Sequence, residues 1–166
     1  ELGERAPAGT VEKALEAADN VGDPALLEPV FGADVGLSAT PDARSRMAWL
    51  AAKENYRQEN FGVALGILAL VDSKNVRFVD AQHLKGIVLC QQERYEDALA
   101  PLLTAEAMAK EEGLLHVIRL NLGRAYFGAE NFPRAIEYYA KVPRSSPLWL
   151  QAQFERAWAH FRIEDV

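Results

Sequence analysis

His83 and Cys90 are the pair of side chains whose types and spacing could share a piece of chemistry: seven residues apart, they fall on one face of a helix. Imidazole and thiolate are both zinc ligands, but two ligands do not close a tetrahedral site. His116 and His160 stand far from them along the chain. Cys90 therefore reads as a small buried apolar residue. No glycine-rich phosphate loop follows a strand, and neither His-Glu-x-x-His nor Gly-x-Ser-x-Gly occurs. Glu96/Asp97 and Glu111/Glu112 are neighbours in sequence that cannot face one another across a cleft, so they read as solvated helix surface. The sequence thus predicts no catalytic residue, no metal, no cofactor, and no enzyme.

What positions these side chains is a phrase that recurs: a small residue, nine positions, an aromatic, then Ala three further on. It reads Ala52, Phe61, Ala64, then Gly86, Tyr95, Ala98, then Gly123, Phe132, Ala135, at offsets of 34 and 37 residues, and Ala157 lies 34 beyond Gly123. A period of this length holds two helices of three to four turns and two short turns, and small residues mark where helix backbones approach. The predicted fold is all-α, a stack of antiparallel helix hairpins.

Capping residues set the helix bounds. Thr40 and Pro41 open a helix to about Glu59, and Asn60 caps the next, Phe61 to about Asp72. Further pairs are expected over about Val76 to Gln92 with Arg94 to Glu111, ended by Glu112 and Gly113, and over about Leu114 to Ala129 with Phe132 to Lys141, capped by Asn131. Ser146 and Pro147 start a last helix, and the chain stops without a second helix to cover it. Residues 1–43 read as a helical cap or degenerate repeat plus linker, with helices over Val11 to Asn20 and Pro24 to Phe31 and a flexible Gly32 to Ala39.

Period and residue types resemble the tetratricopeptide repeat over residues 44–166, as three repeats and the first helix of a fourth. The third unit carries the resemblance best, with Leu122, Gly123, Tyr126, Phe132, Ala135, Tyr139 and Pro147; Leu89 and Leu102 stand where the second unit would have aromatics, and Asn55 stands in the Tyr126 position of the first. The resemblance implies an α-solenoid with a right-handed superhelix, in which the first helix of each hairpin lines a concave groove. The groove residues it implies are Arg46, Trp49, Lys53, Tyr56 and Arg57, then His83, then Arg124 and Phe127, then Phe154, Trp158 and Arg162, with Asn121 and Phe161 on the same face. That face is expected to be basic and aromatic, the chemistry of binding hot spots. Packing against neighbouring helices is the alternative for Trp49, Tyr56 and Phe127, and cover by an absent second helix the alternative for Trp158 and Phe161. The Lys, Asn and Arg clamp by which some members of the family grip chaperone tails is not matched, since Trp49, Lys53, Leu84, Val117 and Asn121 occupy its positions.

The expected partner is another protein, offering an extended or helical segment that an acidic or carboxylate group would suit. A self-associating piece of a longer solenoid, joined through the open C-terminal repeat, is the alternative, and helical-repeat RNA binding a third. Net charge of -6 and an isoelectric point near 5.1 speak against nucleic acid, which needs a dense basic surface. The longest apolar run, Gly62 to Val71, is too short for a membrane span. Ala-rich helices with Arg preferred over Lys suggest a bacterial origin, and long irregular hairpins resemble in style those of bacterial envelope and motility assemblies, so periplasm or envelope is expected before cytoplasm.

Overall fold

Thr40 begins the part of the chain that the computed structural model describes, residues 40–164, and every regular element there is a helix. The Thr40 hydroxyl accepts from the Ala43 N–H at 3.2 Å and Pro41 takes the first helical position, so α1 runs Pro41–Arg57. The others are α2 (Phe61–Leu68), α3 (Phe78–Gln91), α4 (Tyr95–Met108), α5 (Glu112–Gly128), α6 (Phe132–Ala140) and α7 (Trp149–Glu164). The helices and connection expected over residues 11–39 lie outside the described residues.

Two compact units divide the chain inside α3, at Ala81 and Gln82. In the first, α1 packs on α2 over a core of Ala48, Leu50, Ala52, Ala64, Leu68 and Val71. Here α2 stops at Leu68, four residues before the expected end. The buried Ser45 hydroxyl accepts from the Asp72 N–H at 3.1 Å, and Asp72 accepts from the Lys74 N–H at 2.8 Å, which turns the backbone out of the helix. Asn75 then donates to the Asp42 carboxylate at 2.6 Å, fastening this turn to the start of α1. Asn60 stands at the N-cap of α2 but makes no side-chain capping bond.

In the second unit α4 packs on α5, α5 on α6 and α6 on α7. A Cβ at Gly86 would strike the side chain of Leu102, joining α3 to α4, and one at Gly123 would lie 2.5 Å from the Tyr139 ring, joining α5 to α6. Leu102 and Tyr139 are 37 residues apart, as are the glycines, so this is one contact made twice. Helix ends again differ from expectation. Ala109 is extended and ends α4 at Met108, while Glu112 and Gly113 open α5 instead of closing α4, the Glu112 carboxylate sitting where the helix dipole favours it. Ser146 and Pro147 form a turn in which the Ser146 hydroxyl accepts from the Leu148 N–H, and α7 starts at Trp149. Asn131 does cap α6, accepting from the Arg134 N–H at 3.3 Å.

The turn that reverses the chain has the same geometry three times. Glu59, Glu93 and Glu130 are left-handed, at φ 59, 58 and 58°. Their N–H groups donate to Tyr56, Cys90 and Phe127, and the N–H groups of Asn60, Arg94 and Asn131 reach back to Asn55, Leu89 and Tyr126. This is the Schellman closure, in which glycine usually holds the left-handed position. A side chain there costs about 1 kcal/mol. Glu93→Gly is accordingly expected to raise stability by about 0.5–1 kcal/mol, after some loss to the greater freedom of the unfolded chain, as read from urea melts.

Candidate interaction surface

In the second unit α3, α5 and α7 are tied together by a line of polar side chains. Asn121 on α5 donates from Nδ2 to His83 Nε2 on α3 at 2.8 Å. Its Oδ1 accepts from Arg124 Nη1 at 3.3 Å. Because arginine only donates, this contact fixes the amide with its oxygen toward Arg124 and its NH2 toward His83, so the Nε2 of His83 is the acceptor. Arg124 then grips Glu155 on α7 with both arms, Nε donating to Oε1 and Oε2 at 3.1 and 2.9 Å and Nη2 to Oε1 at 2.5 Å. The Tyr139 hydroxyl on α6 lies near enough to feel the charge of the Glu155 carboxylate.

Electrostatics follow from that geometry. The hydrogen bond to Glu155, more than the opposing effect of burial, holds the Arg124 guanidinium above its ordinary pKa. Burial, seconded by Glu155, raises the Tyr139 hydroxyl, so it stays a donor. Burial pushes the Cys90 thiol up from 9.0 to about 11, against a smaller pull downward from Arg124. Cys90 is thus a slowly reacting thiol at neutral pH. Among the described residues no cluster of three His, Cys, Asp or Glu side chains could hold a metal ion.

Two measurements on Cys90 follow. At neutral pH the raised pKa cuts the thiolate fraction about a hundredfold, and the greater nucleophilicity of a basic thiolate recovers part of that, so disulfide reagents should react about tenfold more slowly than with the unfolded chain. The folded pKa also lies above the unfolded one, so the folded state holds this proton more tightly. Its contribution to stability is complete below pH 9.0 and is lost as pH rises toward 11, so the urea midpoint should fall across that window in wild type and fall less in Cys90→Ala.

The remaining residues expected on this face are distributed as follows. In the first unit, Arg46 Nε lies 2.9 Å from Asp42, off the line of its N–H bond, so the pair is ionic without being a hydrogen bond. Lys53 sits 5.6 Å over the Trp49 ring, Tyr56 lies 6.1 Å from Phe61, and Arg57 bonds Glu54 at 2.9 Å. In the second unit, Phe127 meets Phe132 edge-on at 5.3 Å, and Arg162 stacks 4.9 Å from Phe132 with Glu130 at 3.9 Å. Arg46, Arg57 and Arg162, like Arg124, therefore each have a carboxylate within reach. The basic character expected from the sequence is largely offset by Asp42, Glu54, Glu155 and Glu130, and exposed pairs of this kind contribute little to stability.

On α7 the aromatics stand open: Phe154, Trp158 and Phe161 are 65, 51 and 53% exposed, and Leu150 is 73% exposed. Trp158 packs edge-on to both phenylalanines, at 6.5 and 5.8 Å, so the three rings form one surface. Glu155 was not expected at this face. It lies 34 residues beyond Asn121, so laying the fourth copy over the third would have placed it in the same line.

No protein-family model, curated protein or solved structure matches this chain. Among the described residues no helix is long and apolar enough to cross a membrane.

Proposed function

We propose that the chain is a non-catalytic protein-interaction scaffold of the tetratricopeptide kind, which takes a segment of another protein on the exposed face of α7 in its second unit. One observation carries this: four large apolar side chains, Leu150, Phe154, Trp158 and Phe161, lie half to three-quarters exposed in one stripe of α7. Contiguous apolar surface of several hundred Å² marks an interaction site, and tryptophan flanked by phenylalanine has the composition of a hot spot. The stripe adjoins Glu155, which is already committed to Arg124, so apolar anchoring outweighs charge in this reading.

The segment received would be an amphipathic helix or an extended strand with aromatic or branched apolar anchors. Replacing both Phe154 and Trp158 by Ala should weaken capture of the partner by at least about tenfold per anchor at any salt concentration, while the melting profile stays that of wild type. Glu137→Lys, on exposed α6 surface, should leave capture unchanged. A partner retained by the double variant and lost on Glu137→Lys would put the binding face on the other side of the hairpins.

A further inference from the structure

Helix α7 is apolar on two opposite faces. Ala152 and Ala159 are fully buried on the side turned to α6, and at about 100° per residue Leu150, Phe154, Ala157, Trp158 and Phe161 lie together on the opposite side, where all five are exposed. A helix with apolar residues on two opposite faces is expected to bury both, and here one of them is bare.

We infer that the cover is α7 of a second copy of this chain, packed antiparallel about a two-fold axis. This rests on the reading of the α7 stripe as an interaction face and names its occupant. From Phe154 to Phe161 the stripe is self-complementary when reversed. With the axis passing between Ala157 and Trp158, Phe154 of one copy meets Phe161 of the other, and the large Trp158 of one meets the small Ala157 of the other. Both contacts occur twice. A parallel pairing sets Trp158 against Trp158 and Ala157 against Ala157, which overfills one level and empties the next. Leu150, Phe154, Ala157 and Phe161 also repeat at four, three and four residues, the spacing of a two-helix seam, with Trp158 flanking it. Two-fold dimers are the commonest closed assembly, and they need a patch that fits itself.

The area is of the order a small specific interface needs. With side chains of this size covering on the order of 150–250 Å² each, the exposed fractions amount to roughly 400–500 Å² of apolar surface per copy. The two copies together approach the ~1,000 Å² that separates specific interfaces from incidental contacts, before any polar rim is counted.

Sedimentation equilibrium of the whole chain over a concentration series tests this. Wild type is expected to move from monomer to twice the monomer mass and no further, and Trp158→Ser, an exposed change made twice per dimer, should weaken association by about thirtyfold or more. A second measurement does not depend on that variant folding. In a Cys90→Ser background, Ala157→Cys beside the axis should form an intermolecular disulfide on mild oxidation, and Glu137→Cys should not. A wild type monomeric at every concentration overturns the inference, as does a dimer that Trp158→Ser leaves intact and Ala157→Cys does not cross-link. A monomer whose captured partner is nevertheless lost on replacing Phe154 and Trp158 removes only the second copy as occupant and leaves the interaction face standing.

Discussion

Gly86→Ala should destabilise the chain by about 1–3 kcal/mol, a large effect for one methyl group, because the added Cβ lands on the branched side chain of Leu102, which fills the space over Gly86. Leu102 is fully buried, so Leu102→Ala should cost about 2–5 kcal/mol by itself. Together the two should cost clearly less than their sum, because each removes the reason the other is harmful: the shortened residue 102 leaves the space that the new methyl needs. A coupling of at least about 1 kcal/mol in the double-mutant cycle is expected. Ser73→Ala, in an exposed turn, should change nothing measurable. Additive losses in the cycle would mean that the two helices are not held at this point.

The equivalent contact in the next hairpin supports the second large effect. Tyr139 is 2% exposed, lies against Gly123 and has its hydroxyl close enough to Glu155 to feel its charge. Tyr139→Ala removes a filled aromatic volume and should cost about 3–5 kcal/mol. Tyr139→Phe keeps the volume and removes only the hydroxyl and its polar contact with Glu155, about 0.5–1.5 kcal/mol. The difference between the two variants measures packing alone. The Phe variant also separates structure from surface: Glu155 keeps its two-armed contact with Arg124, so the α7 aromatics should stay where they are and partner capture should be unchanged. Urea melts and the capture assay together decide, and a Tyr139→Phe variant as stable as wild type would remove Glu155 as its partner.

The recurrence of small residues and aromatics was enough to locate the helix pairs, because those residues are fixed by contact. Ala64, Ala98 and Ala135 are fully buried at the positions the phrase assigns them, and Gly86 and Gly123 meet Leu102 and Tyr139. Helix ends were less legible. They are set by bonds between distant parts of the chain, such as Ser45 to Asp72, that no local propensity encodes. Glutamate in the three left-handed turns was illegible for a different reason: that position ordinarily declares itself by glycine.

For the surface, residue types were readable and pairing was not. Arg46, Arg57, Arg124 and Arg162 count as positive charges in a sequence. In the fold each lies beside a carboxylate, two of them on the same helix and two brought from other elements. The exposed aromatics of α7 were legible because their stripe has helical spacing, while the depth of their exposure depends on what covers them.

Photo-cross-linking tests the interaction face most directly. A photoreactive side chain replaces Phe154 in one preparation and Glu137 in another, and each is irradiated among its natural partners. Adducts from position 154, to a second copy or to a distinct protein, with none from position 137, are the predicted result. Adducts from position 137 with none from position 154 would show that the aromatic stripe of α7 is not where this protein binds.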